Sequence, residues 1–391
     1  MTAILQSEFE ERIARIQEEL ARRNLDCLMV YGDEYRKENL RYVCNFWPIF
    51  ERAACFIPRK GPPIQAGAPE GEQYAREMSA WKDIRNIKEF ACVSVPEEID
   101  FPLAAFSSLK DILRETLGGG KRLALVGRWD IPAPIMERIQ NALPGLEIVD
   151  AAEILQEMRL VKTPAEIACL EQAGRIACIG YKALMDHCVP GNTELQAAGA
   201  GEGAARYAGA EAIAFTVFGS GPRTATIIGR PTPRVIQDGD MIMAALAVQY
   251  QGYVSTVEFP FVSGKASDIQ KQFLSVLFDA ANVQLEYLRD GVIAGDMVRA
   301  VKRVFEEGNV SQYDVYPPMH GIGLAEAESP YPDAEATYPI RRGMCVNSDI
   351  SLFGHAAGSN RIEEGFVIGA EGPQSLTPLI RELCERRVTS P

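Results

Sequence analysis

The sequence predicts a two-domain protein of the α/β (α+β) class. A small α/β domain is expected over residues 1–157, and a larger domain with a curved antiparallel sheet over 158–391. Three observations carry this. A chain of 391 residues is more than twice a domain of about 150 residues. Its first part alternates short apolar runs with helical stretches, as an α/β unit does. Its second part joins several strands by short turns, with long helices between them, as an antiparallel sheet covered on one side would.

In the first domain, Phe9, Ile13, Ile16 and Leu20 recur at helical spacing behind a Ser7–Glu10 capping box. A strand is expected at 27–32, and 53–67 reads as two short strands around a Pro/Gly turn. A strand at 122–127, a helix over about 132–142 and a strand at 146–151 complete the unit. The second domain opens on a helix capped by Thr163, with Pro164 at its first position, Glu166 closing the capping box, and Ile167, Leu170 and Ala177 as its apolar stripe. A small-residue helix follows Pro190-Gly191-Asn192-Thr193. Strands are expected near 212–217, 223–228, 241–249 and 252–262, helices at about 267–287 and 296–307, and strands at 344–351 and 362–369.

Composition narrows the function. Acidic residues outnumber basic ones 53 to 40, for a formal charge of −13, which disfavours binding to nucleic acid. The longest apolar runs, such as 241–248, are too short to cross a bilayer. The N-terminus turns acidic within ten residues without a signal-peptide pattern. No membrane partner and a cytoplasmic location are therefore expected. The nine cysteines are scattered without a C-x-x-C pair and read as reduced thiols. Only His187, His320 and His355 are available for histidine chemistry.

Four segments of the second domain place polar residues on strands that are otherwise apolar. In 252–259, Thr256 and Glu258 share a face because strand side chains alternate. In 320–330, His320 precedes two glycines and a pair of glutamates. Asn347 and Asp349 share a face in 343–351, as do Arg361 and Glu363 in 361–369. Carboxylates crowded in a cleft have shifted pKa values, the raw material of acid–base catalysis or metal binding. His187 reads most simply as a helix C-terminal histidine favoured by the dipole. His355 is either loop surface or a second site histidine. Tyr253 and Phe259 read as core, with Tyr253 also a candidate substrate contact.

Taken together, 159-RLVKTPAEI-167, 238-DGD-240, 252-GYVST-256, 320-HGIG-323, 343-GM-344 and 361-RIEE-364 resemble the creatinase / prolidase / methionine aminopeptidase family. The resemblance implies a pita-bread second domain. In the metallopeptidase branches it further implies two metal ions held by two aspartates, a histidine and two glutamates. Those positions are Ala245, Thr256, His320, Asp349 and Glu363 here, and the second active-site histidine before Glu328 is Ala327. With two oxygen donors gone, a two-metal centre is not expected. One ion on His320, Asp349 and Glu363, with or without Glu258, stays open.

Creatinase is the branch that works without metal, and the chain is similar to it in further places. Glu258 matches its guanidinium-binding glutamate. Phe50 and Arg52 match residues that cover the substrate and clamp its carboxylate from the neighbouring subunit, which implies a homodimer. The creatinase histidine, however, falls at Ile228. The expectation is a metal-independent, creatinase-like hydrolase that needs no cofactor and cleaves an amidine, ureido or amide C–N bond in a small carboxylate-bearing metabolite. His320, Asp349, Glu258 and Glu363 would be catalytic. Phe50, Arg52, Thr256, Tyr253, His355 and Arg361 would bind substrate. The alternatives are a metal-dependent Xaa-Pro dipeptidase or aminopeptidase, a lyase of the dimethylsulfoniopropionate type, and a non-catalytic binding protein.

Overall fold

The computed structural model describes residues 3–91 and 105–389, with side chains to residue 385. It divides into a unit over 4–158 and a second made of residues 1–3 and 159–391. Among the described residues the first unit holds a six-stranded mixed sheet. Its central strand, Cys27–Asp33, pairs antiparallel with Arg52–Pro58 and parallel with Arg122–Val126. The Gln6–Arg22 helix buries Phe9, Ile13, Ile16 and Leu20, the stripe that its spacing predicts. Its cap differs from expectation. The helix begins one residue before Ser7, Leu5 takes the N-cap position, and no side chain caps it. Up to residue 160, five elements are not expected from the sequence: the Glu38–Cys44, Glu72–Met78, Leu109–Leu117 and Ala152–Leu160 helices and the Ile84–Asn86 strand.

The second unit is built on a sheet that, among the described residues, has eight strands with every pairing antiparallel. The Pro164–His187 and Asp268–Tyr287 helices bury apolar faces in the same core as the sheet's inner residues. The Thr163 capping box forms as expected: its hydroxyl accepts from the Glu166 N–H and the Glu166 carboxylate accepts from the Thr163 N–H. Tyr181 of this helix is fully buried and its hydroxyl meets the Ala244 and Phe259 carbonyls, 2.9 and 2.8 Å away. That contact seats the helix across two strands that carry site residues. Residues 223–228 are not a strand. A 3-10 turn occupies Gly221–Thr226, started by Gly221 at φ 52° and by Pro222, which has no N–H to give a ladder.

Eight cysteines are free, and Cys92 lies outside the described residues. Among the described residues no helix is long and apolar enough to cross a membrane.

Candidate active site

The registers of the second sheet assemble the site as a transverse row. Ala245 pairs with Glu258, Glu258 with Glu363, and Glu363 with Asp349. Cross-strand partners project to one face, so these four positions share it. His320 pairs with Asn347, two residues from Asp349, and joins the same face. Thr256 and Arg361 lie two residues from Glu258 and Glu363 and follow suit. The pairs of polar residues noticed in the sequence thus converge because the strands that carry them are neighbours.

Arg361 is the organiser of this row. Its Nη1 donates to Glu363 Oε1 at 2.9 Å, and its Nε lies 3.6 Å from Asp349 Oδ1 and 3.8 Å from Glu258 Oε2. Tyr316 and Phe353 flank the guanidinium at 5.4 and 5.5 Å, a favourable placement for a delocalised cation. Burial opposes its charge, but Glu258, Glu363 and Asp349 outweigh that and hold it protonated. One guanidinium does not satisfy three carboxylates. Among the described residues, Glu258 Oε1, Asp349 Oδ1, Glu363 Oε2 and both amide atoms of Asn347 are buried without a hydrogen-bond partner. Buried polar atoms of this kind call for an ion or a ligand.

The donor set fits one divalent ion. One ligand atom from each of His320, Asp349 and Glu363 lies within 4.8 Å of the others, and all three residues are buried. His320 Nδ1 lies 3.0 Å from the Gly321 carbonyl, which can only accept. The proton therefore sits on Nδ1 in the neutral ring, and Nε2 is left as the ligand atom. The set does not fit two ions. Ala245 offers no oxygen, and the Thr256 hydroxyl donates to Glu326 Oε1 at 3.1 Å.

Glu326 is a site residue that the sequence reading missed. It belongs to the pair of glutamates after His320, but it lies on a loop, where no periodicity marks a face and assigns it a role. Its Oε1 is 3.9 Å from His320 Nε2. Of the acids in the site it is the most open, with 21% of its side chain exposed against 9% for Asp349 and 1% for Glu258. Burial and the Glu363 charge push its carboxyl up to about 7. Burial pushes Asp349 up to about 6, with Arg361 pulling the other way, and burial raises Glu258. For His320, burial favours the neutral ring, but Glu326 and Glu363 more than offset it and raise the pKa. A cavity of about 1090 Å³ opens onto Glu258, Glu326, Arg361 and Glu363.

The loop after His320 is fixed by a second acid. Glu328 Oε1 accepts from Lys162 at 2.9 Å and Oε2 accepts from Arg159. A Cβ on Gly323 would stand 2.6 Å from Glu328 Oε1, and one on Gly321 2.2 Å from the Ser329 carbonyl. The two glycines of 320-HGIG-323 let the loop approach that closely, and Arg159 and Lys162 explain the 159-RLVKTP-164 segment.

Two expected substrate contacts lie elsewhere. Tyr253 is buried and donates to Glu166 Oε1 at 2.9 Å, a tie between strand and helix. His355 stacks on Phe273 at 4.8 Å and meets Tyr313 edge-on at 5.1 Å. The Cys345–His355 and Gly358–Ile368 strands run on into a long hairpin, which carries His355 six residues past Asp349 into that aromatic sandwich. Phe50 and Arg52 belong to the first unit. Phe50 is 69% exposed at φ 59°, and Arg52 lies beside Tyr31 and across from Asp33.

Both parts of the chain match known protein families. Residues 168–370 match the model of metallopeptidase family M24, and residues 12–161 that of the creatinase/prolidase N-terminal domain. The chain is 26% identical to the Xaa-Pro dipeptidase of Pyrococcus horikoshii, over 73% of this chain and 81% of that one. It is 28% identical to the probable dipeptidase PepE of Mycobacterium tuberculosis, over 68% and 71%. The prolidase of Pyrococcus horikoshii shares the fold with a TM-score of 0.80 at 22% identity, covering 94% of this chain and 98% of that one. The X-Pro aminopeptidase of Thermotoga maritima also gives 0.80, at 20% identity and 93% and 97% coverage.

These findings overturn the expected metal-independent, creatinase-like hydrolase. The matching catalytic model is that of a metallopeptidase, and the relatives bear dipeptidase names. The loss of two acidic positions tells against a two-metal centre, but His320, Asp349 and Glu363, the one-ion set left open by the sequence, bring ligand atoms within 4.8 Å of one another. The pita-bread architecture expected from the motifs holds, and by its catalytic unit the chain belongs to metallopeptidase family M24, hydrolases that act on C–N bonds of the peptide kind.

Proposed function

We propose that the protein is a dipeptidase of the Xaa-Pro kind that works with one divalent ion held by His320, Asp349 and Glu363. The observation that carries this reading is the convergence of those three donors beside orphaned carboxylate oxygens. The ion, when bound, supplies Lewis-acid polarisation of the scissile carbonyl and lowers the pKa of a water molecule.

The chain's own residues do the rest. Arg361 fixes Glu258, Asp349 and Glu363 in place and offsets part of their charge. Glu326, open to the cavity and steadied by Thr256, is placed to hold a proton for the departing amine. Glu258, buried behind Arg361, keeps the guanidinium oriented toward the cavity. The reading includes a homodimer in which Phe50 and Arg52 serve the partner subunit's site. Its support is the Phe50 ring, which the backbone holds out in solvent.

The test is chemical. Purified protein stripped with a chelator and reloaded should bind one equivalent of divalent ion by elemental analysis and hydrolyse Xaa-Pro dipeptides only when loaded. Full dipeptide turnover in the stripped protein would refute the reading.

A further inference from the structure

The cavity that opens onto the acids has one apolar wall. Leu195, Ile213, Phe215, Val217, Ile228 and Pro231 line it, and Ile228 is 74% exposed. An isoleucine held in the open at a cavity mouth needs a cause, and the backbone supplies it. Ile227 adopts φ 55° and ψ −65°, and the Ile228 N–H donates to the Thr226 carbonyl at 2.6 Å. This is a γ-turn of the positive-φ form, which is strained, and a β-branched residue at its centre adds to the strain.

The strain is imposed from both sides. The Phe218 N–H donates to the Gly229 carbonyl at 2.8 Å. Arg223 Nη2 donates to the Arg230 carbonyl at 2.8 Å while Arg223 Nε is held by the buried Glu194. The Thr226 hydroxyl donates to the Arg223 carbonyl at 2.8 Å. An unfavourable conformation persists where its surroundings over-determine it, and such positions concentrate at ligand-binding sites. What this turn accomplishes is to present Ile228 to the cavity.

We infer that Ile228, presented by the strained turn at Ile227, is a specificity-determining residue that selects substrates with a large apolar side chain for the wall it shares with Phe215 and Val217. The inference rests on the reading of this cavity as the substrate site. Filling the wall removes the exposed apolar surface of Ile228 and Leu195 from water together with that of the substrate. A substrate with alanine in place of leucine forfeits that burial, and the difference expected for a pocket of this kind is about tenfold or more.

The experiment uses the ion-loaded, full-length protein and matched dipeptides that carry Leu or Ala at one position and are otherwise identical, tried at each position in turn. Wild type should favour the Leu member about tenfold, in KM more than in kcat, and show a larger melting shift with it. Ile228→Ser should erase the preference. Ile227→Gly should raise the melting temperature, because glycine accepts the turn, and weaken the preference, because Ile228 is no longer held in place. Wild type without a preference, Ile228→Ser with an intact one, or Ile227→Gly with an unchanged or lower melting temperature would each overturn the inference. If no dipeptide is cleaved but the melting shifts still separate Leu from Ala in wild type and not in Ile228→Ser, the dipeptidase reading falls and this inference stands.

Discussion

Asp349 and Glu363 are directly opposed in the register of two antiparallel strands, so two carboxylates confront each other in the interior of the sheet. Like charges so placed repel, and burial raises the cost. Arg361 touches both and supplies one positive charge. A divalent ion on the same two carboxylates and His320 would supply the rest, which makes this opposition the physical reason for a cation site.

Metal stoichiometry follows from the ligand set. Elemental analysis of the loaded wild type should give one ion per chain. His320→Ala and Asp349→Ala should each weaken binding by more than about 100-fold, since changes to residues that merely support a ligand already cost 10–100-fold. Two ions per chain would show that Thr256 or Glu326 completes a second site.

Arg361 should matter for stability as well as activity. Arg361→Ala leaves Glu258, Asp349 and Glu363 buried without their guanidinium, and removing one partner of a buried ion pair costs about 3–5 kcal/mol. Urea unfolding of the ion-free variant should register this loss. Added divalent ion should recover part of it, because binding to the native state alone stabilises by mass action. Equal losses with and without ion would separate the guanidinium from the ligands.

How far the site could be read from sequence depended on contrast. Glu258, Asp349 and Glu363 stand on apolar strands, so each departs from its surroundings and alternation gives its face. Their convergence was not readable from local pattern, because register between distant strands is set by tertiary pairing. Glu326 has no such background, so it stands in the sequence only as one of the pair of glutamates after His320, with no face and no role. His355 was misjudged because 354-GHAAGSN-360 looks like a loop, whereas the strands continue through it. The 221–226 turn was mistaken for a strand because its β-branched residues outweighed Gly221 and Pro222 in the reading. The expectation of a metal-independent reaction gave the two missing ligands more weight than the one-ion set of His320, Asp349 and Glu363, because the sequence does not show how closely those three approach one another.

Glu326 gives the ion-free protein a characteristic pH dependence. Its carboxyl is raised by burial and by Glu363 from an ordinary value near 4.5 to about 7. Between those values the folded state binds more protons than the unfolded state, so its contribution to stability is full below about 4.5 and is lost as pH rises through 7. Glu326→Gln mimics the protonated form and should flatten the decline. Asp349, raised to about 6, should leave a residual slope. Identical stability–pH curves for variant and wild type would exclude Glu326 as a contributor.

Glu328 has the opposite sign and a different job. Burial favours its neutral form, but Arg159 and Lys162 outweigh it and lower its pKa. Its contribution is therefore present above the unfolded carboxylate's pKa and lost as pH falls through the lower folded value. Glu328→Gln removes the carboxylate that buried Lys162 and Arg159 share and should cost about 3–5 kcal/mol in urea unfolding. It should also lower kcat, because the same carboxylate braces the loop that carries Glu326 and accepts from the Ala325 N–H at 3.4 Å. Coupling decides between a bracing role and a general loss of packing. If the Lys162–Glu328 contact carries the effect, Lys162→Met combined with Glu328→Gln should cost less than the sum of the two single changes. Strict additivity would mean that Glu328 acts on the loop without Lys162.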